Sequence, residues 1–272
     1  MRTFALPLFL LAVLPVPAHA TSVIVFDNPA YVDTGSSGAS SDDLQALLGS
    51  LGYSVSTFTG ITASDIAAAG NSANLILFPG LLNFGALASD LSPAADAALA
   101  SYVAAGGGLI VTGGSGERLL NVALYPACDF TTVFCFASTG TSGPSFLDST
   151  VAAGTSFSSA PATLTVPPQP DGAINPFAFT PAGGLNLYRD EVAGFFNGTT
   201  VLTAPYGAGH YGFLGWTYAD SLPLGSQDGG WDSVLNTMVQ SLASTNTPEP
   251  GTTVLFGSAL LAFGAWRSRA RA

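Results

Sequence analysis

Residues 102–114 read Tyr-Val-Ala-Ala-Gly-Gly-Gly-Leu-Ile-Val-Thr-Gly-Gly, and this stretch decides the fold class. Upstream of it, Ser92-Pro93 is a helix start, with Leu99, Tyr102 and Val103 at helical spacing. Three consecutive glycines then end the helix, since each costs about 1 kcal/mol relative to alanine in a helix interior. Leu109-Ile110-Val111 follows as a short, fully apolar run that stops at a second glycine pair, the mark of a strand buried on both faces. Helix, stop, buried strand and sharp turn within so few residues predict a parallel sheet covered by helices.

The same rhythm recurs upstream. Val23-Ile24-Val25-Phe26 is an apolar run ending at Asp27-Asn28. Ser41-Asp42-Asp43 predicts an N-cap for a helix with Leu44, Leu47, Leu48 and Leu51 on one face, stopped by Gly52. Tyr53 to Phe58 alternates as a strand, and Leu75-Ile76-Leu77-Phe78 is another buried one ending at Pro79-Gly80. Downstream the pattern is less regular. Residues 125 to about 200 carry Pro167-Pro168-Gln169-Pro170, many phenylalanines and a short strand signal at Ala162 to Val166, and are expected to form an insertion of loops and short strands. Thr200 to Ala204 and His210 to Tyr218 are expected as a strand pair joined at residues 206–209, and Trp231 to Leu242 as a closing helix.

Four stretches resemble class I glutamine amidotransferase-like domains: Leu-Gly-Tyr-x-Val at 51–55, Leu-Ile-Leu-Phe-Pro-Gly at 75–80, the stretch at 102–114, and Gly-x-Gly-x-x-Gly-Phe-Leu-Gly-Trp at 207–216. The resemblance implies an α/β fold, a three-layer flavodoxin-like mostly parallel sheet with helices on both faces, plus the loop/β insertion at about 125–200. It also implies a nucleophilic cysteine on the turn after the strand Leu109 to Thr112, and a His and Glu after the strand ending Gly215-Trp216-Thr217-Tyr218. This chain has Gly113-Gly114 at that turn and no histidine at the second place. The amidase machinery is therefore not expected, because nothing would activate attack on an amide.

The two ends of the chain read as addresses. Arg2, an apolar stretch from Phe4 to Val16 and Ala18-His19-Ala20 form the three parts of a secretory signal peptide over residues 1–20, with cleavage after Ala20. Residues 21–244 are the expected domain, and 245–272 a linker and sorting segment. Pro248-Glu249-Pro250, an uncharged apolar run from Gly251 to Trp266, and Arg267, Arg269 and Arg271 resemble the PEP-CTERM sorting signal of Gram-negative bacteria. That resemblance implies an exosortase and the secretion machinery as partners, a transmembrane helix over 251–266, arginines held on the cytoplasmic side, and transient anchoring in the inner membrane. It further implies delivery to the outer surface or extracellular matrix, with extracellular polysaccharide as a further candidate partner. Sixteen helical residues reach only ~24 Å against a hydrocarbon core of ~30 Å, which suits a temporary stop better than a permanent anchor. Arginines at one end alone orient it with the C-terminus inside.

Between these ends, sixteen carboxylates stand against two cations, Arg118 and Arg189, and the chain has no lysine. Such a charge repels phosphate backbones, so no nucleic-acid partner is expected. Cys128 and Cys135 are the two cysteines. In an oxidising compartment they are expected to form a disulfide worth about 2.5 kcal/mol in the chain-entropy model. A redox pair ordinarily has two intervening residues where this has six, and a metal site lacks further ligands nearby.

Strand ends of open α/β sheets line the ligand crevice. The expected crevice here is lined by Asp27, Asn28, Gly113, Gly114, Ser115, Glu117 and Asp220. Ser115 and Glu117 are expected as the N-cap and first-turn acid of a helix, with Arg118 near enough to pair with Glu117. His210 is the one histidine outside the signal peptide, so any triad would have to recruit it with a serine and a carboxylate from elsewhere, Ser115 in Gly113-Gly114-Ser115-Gly116 coming closest to an elbow. A Gly-x-Ser-x-Gly elbow is absent. Asp220, Asp228 and Asp232 offer oxygen ligands, but their spacing matches no calcium loop, so neither metal nor cofactor is expected. An exported, non-catalytic binding or structural protein is the preferred reading. The alternative is a hydrolase of cell-surface glycans or peptides working through Asp27, Glu117 and Asp220.

Overall fold

The computed structural model describes residues 21–36, 38–113, 115–125, 138–139, 143–165, 172–175, 181–192, 195–220 and 228–243. The signal peptide, Gly114, both cysteines and the whole sorting segment, including its apolar run, lie outside the described residues. Among the described residues no helix is long and apolar enough to cross a membrane.

The first half alternates strand and helix: β1 (Ser22–Phe26), α1 (Ser40–Ser50), β2 (Ser54–Phe58), α2 (Ala63–Ser72), β3 (Leu75–Phe78), α3 (Phe84–Asp90), α4 (Pro93–Ala104), β4 (Gly108–Thr112) and α5 (Gly116–Leu124). Short pieces follow: β5 (Ser138–Thr139), β6 (Ser145–Leu147), α6 (Ser149–Ala152), a 3-10 turn (Ser156–Ser159), β7 (Thr163–Leu164) and β8 (Ala173–Ile174). Then come β9 (Leu185–Val192), β10 (Phe195–Tyr206), β11 (Gly209–Leu214) and α7 (Trp231–Ala243). The main path of the sheet runs β2-β1-β3-β4-β11-β10-β9-β6-β7, with β8 pairing β10 and β5 pairing β8. Its first five strands are parallel, and β10, β9, β6 and β7 extend it antiparallel. This is the flavodoxin-like α/β architecture, helices on both faces of a mostly parallel core.

Alternation along each strand divides the apolar side chains between two cores. Ile24, Phe26, Ile76, Phe78, Leu109 and Val111 face α2, α3, α4 and α5, and pack with Ile66, Leu87, Leu99, Val103 and Leu120. Val23, Val25, Leu75, Leu77 and Ile110 face α1 and α7, and pack with Leu44, Leu47, Leu48, Val234, Met238 and Leu242. A strand with both faces covered must be apolar at every position, which is why these runs do not alternate in the sequence.

Several local expectations are corrected. Helix α1 starts two residues early, with Ala39 and not Ser41 at the N-cap position and no side-chain cap. Ser41 instead donates to Asp27 Oδ1 at 2.9 Å, and Asp42 accepts from the Gly35 amide at 2.6 Å, so the loop takes the groups a cap would have used. Helices α2 and α3 have no counterpart in the expected element order, although Thr62 and Asp65 form a reciprocal capping box at the start of α2. Strand β11 ends at Leu214, not Tyr218, and Tyr218 (φ +66°) and Asp220 (φ +57°) take left-handed backbone that no strand continues through. Strand β10 begins at Phe195, inside the expected insertion, and the strands of that region join the main sheet.

Candidate functional site

The carboxyl ends of β1, β3, β4 and β11 lie along one edge of the sheet, and the predicted crevice residues follow them. Asp27 continues β1 and its amide donates to Phe58 O at 2.9 Å. Its carboxylate accepts from Ser41, at the buried start of α1. Asn28 is occupied by the turn itself: Nδ2 donates to Thr59 O at 2.7 Å, and Oδ1 accepts from the Ala30 amide at 3.0 Å. Asp220 reaches the same β1–α1 loop from the other side. Its amide donates to Gly38 O at 3.3 Å, and its carboxylate fills the space a side chain on Gly38 would need. Asp27 and Asp220 are therefore both held against the loop of residues 33–41.

The turn after β4 is closed from within. Gly113 adopts φ +74°, a backbone that L side chains rarely take. A Cβ there would sit 2.7 Å from Thr217 Cγ2 and 3.0 Å from Gly80 Cα, and a Cβ on Gly80 would sit 2.4 Å from the same methyl. Thr217 thus plugs the point where β3, β4 and β11 end together. A side chain at Gly113 would therefore have to move Thr217.

Glu117 behaves differently from the other two carboxylates. It is 1% exposed, and neither of its oxygens makes a hydrogen bond within the described structure. Burial pushes its carboxyl up to about 7, against a smaller opposing pull from its own amide and from Arg118. Arg118 stands in the expected place but pairs loosely, Nε to Oε1 at 3.7 Å, with its own side chain half exposed and its guanidinium 5.8 Å from the Phe84 ring centroid. Ser115 occupies the N-cap position of α5, yet its hydroxyl makes no capping bond.

The structure separates the other candidates. His210 is paired in register with Gly108, at the start of β4, whereas Ser115 follows the end of that strand. Four residue steps of about 3.3 Å put them more than ~13 Å apart along the sheet, so they form no triad. Asp228 and Asp232 flank the start of α7, where their charges help push the buried Tyr218 hydroxyl well above its usual range, after burial itself. That hydroxyl donates to Trp231 O at 3.2 Å. Among the described residues no group of three or more His, Cys, Asp or Glu side chains could hold a metal ion.

Two residues went unnoticed in the sequence. Thr217 has no motif around it, and only the packing of three strand ends exposes its role. Asp190 on β9 is fully buried between Ser145 on β6 and Gly198 on β10, and burial raises its carboxyl despite a Gly198 backbone hydrogen bond. Its neighbour Arg189, paired with Asp148 at 2.7 Å, made the segment read as exposed.

Solved structures resemble this chain in fold. Cytoplasmic protein STM1381 from Salmonella typhimurium LT2 superposes with a TM-score of 0.51 at 14% identity, over 82% of this chain and 99% of that one. The chain folds as a flavodoxin-like α/β domain. A putative ThuA-like protein from Bacteroides uniformis ATCC 8492 gives 0.49 at 10% identity, over 84% and 93% of the two chains. Cytoplasmic protein STM3548 from Salmonella typhimurium gives 0.49 at 11%, over 80% and 97%. At these identities the likeness is one of fold alone. No protein-family model matches the chain, and no curated protein matches it in sequence.

Proposed function

We propose that this is an exported protein whose amidotransferase-like domain binds or organises material at the cell envelope or in the extracellular matrix, without catalysing a reaction. The observation that carries the non-catalytic part is the plugged turn. Gly113 offers no side chain, and Thr217 and Gly80 occupy the volume that one would need. A nucleophile there would require both a new side chain and a rebuilt crevice floor. The export part rests on the resemblance of Pro248-Glu249-Pro250, the apolar run and the terminal arginines to a PEP-CTERM signal. Exosortase and the secretion machinery are its proposed partners, with neutral extracellular polysaccharide as ligand, since an acidic rim without lysine disfavours anionic ones.

The test is expression in a Gram-negative host that carries an exosortase, followed by intact-mass measurement of the matrix fraction. The expected species begins at Thr21 and ends near Pro248-Glu249-Pro250. A surface species still carrying Trp266 overturns the sorting reading. Incubating the processed protein with neutral exopolysaccharide should retain it on the polymer and leave chain length unchanged. Depolymerisation overturns the non-catalytic reading.

A further inference from the structure

The first turn of α5 has no hydroxyl cap from Ser115, and its backbone closes through the Gly116 amide to Gly113 O at 3.1 Å and the Arg118 and Leu119 amides to Ser115 O at 3.2 and 3.5 Å. The turn nevertheless lies flush on the sheet: a Cβ on Gly116 would stand 3.0 Å from Val111 Cγ2. Glu117, next in the turn, is 1% exposed and has no hydrogen bond to either oxygen. An ionised carboxylate in that position is cut off from water, with only its own amide and the loosely placed Arg118 to offset its charge, and the close fit against β4 leaves it no route to solvent unless the turn itself moves.

We propose that Glu117 is a proton-operated latch on the first turn of α5, seated while its carboxyl is neutral and released when it ionises.

The surroundings set the direction. Helix α5 packs against α3, α4, β4 and β11. Strand β4 has no ionisable side chain, α3 contributes Asp90, which accepts from the Tyr31 hydroxyl, and α4 contributes Asp96 and Tyr102, whose hydroxyl donates to Asn74 O and Gly108 O at the far end of β4. Strand β11 contributes His210, at its far end, and Tyr211, which bonds Tyr125 at the other end of α5. Arg118 is thus the cation facing Glu117, half exposed at 3.7 Å, and burial of the carboxyl outweighs its pull. With the carboxyl's midpoint raised to about 7, the latch works across neutral pH. Release frees the first-turn amides beside Gly113, at the crevice floor. The latch does not depend on the crevice binding a glycan.

Two measurements on the full-length chain test it. The protein has three glutamates, Glu117, Glu191 and Glu249. Carbon-13 labelling of their carboxyl groups therefore gives three titrating resonances, of which Glu117 is the one lost in Glu117→Gln. A midpoint near 7 is expected, and one near 4.5 overturns the proposal. Hydrogen exchange is then compared at pH 6 and pH 8, corrected for intrinsic rate. Protection of the Gly116–Leu120 amides should fall at least tenfold in the wild type while the α7 amides keep theirs. Equal protection at both pH values overturns it, as does an equal loss in α7, which would mean global unfolding. If Glu117→Gln folds, its α5 protection should be independent of pH, and a surviving pH-dependent drop overturns the proposal. If it does not fold, the wild-type comparison of α5 with α7 still decides.

Discussion

Thr217 Cγ2 lies 2.7 Å from the point where a side chain on Gly113 would begin, so a residue of one strand end blocks the turn at another. Gly113→Ala should cost about 3 kcal/mol, combining left-handed strain of roughly 1–2 kcal/mol with overpacking of similar size. Thr217→Ser in the same chain removes the methyl and should restore the overpacking part alone. Chemical denaturation of the single and double variants measures both. A fully additive loss would mean that the two side chains do not compete for one space.

Glu117→Gln should raise stability at alkaline pH and leave it unchanged in acid. The folded carboxyl sits at about 7 against an ordinary value of 4.5, so its stabilising contribution is complete below about 4.5 and is lost as pH rises through 7. The displacement corresponds to about 3 kcal/mol at pH 8. Urea midpoints of both proteins from pH 4 to pH 9 should converge at the acid end, separate between about pH 4.5 and 7, and keep a constant gap above that.

Gly207→Ala should destabilise the β10–β11 hairpin far more than Gly35→Ala does the β1–α1 loop. Both glycines have positive φ, +61° and +80°. Beside Gly35 nothing lies within 4 Å, so only strain of roughly 1 kcal/mol is expected. A Cβ on Gly207 would meet Ala104 Cα at 2.6 Å, backbone that cannot swing aside, next to the bond from the Ala208 amide to Ala104 O at 2.9 Å. Thermal melts of the two variants should differ clearly, the Gly207 variant melting lower.

Cys128 and Cys135 should be bonded to each other in the exported protein. Peptide mapping without reduction is expected to recover them as one crosslinked fragment. Reduction should cost no more than about 2.5 kcal/mol, because the loop is short. Two alkylatable thiols in exported material would refute the pairing.

Much of the fold was legible because buried parallel strands leave a composition that little else produces. Val23–Phe26, Leu75–Phe78 and Leu109–Val111 are apolar at every position, and each ends in residues suited to a turn. Helix α2 escaped notice because Ala63-Ser64-Asp65-Ile66-Ala67-Ala68-Ala69 buries only Ile66 and Ala69 and so shows little periodicity. Strand β9 escaped because it carries Arg189, Asp190 and Glu191 in succession, and a run of charges reads as surface.

The sequence by itself determined the alternation of covered strands with helices and the absence of a thiol at the turn after β4. Both follow from residue type: continuous apolar runs need cover on two faces, and glycine carries no nucleophile. Tertiary structure alone decided that Thr217 plugs that turn, that Asp27 and Asp220 meet at one loop while His210 stands at the opposite edge, and that Glu117 is buried. An acid in the first turn of a helix ordinarily faces water and favours the helix dipole. Whether it does so depends on what packs over it, and Glu117 is shut in by elements far apart in the chain, whose meeting no local pattern encodes.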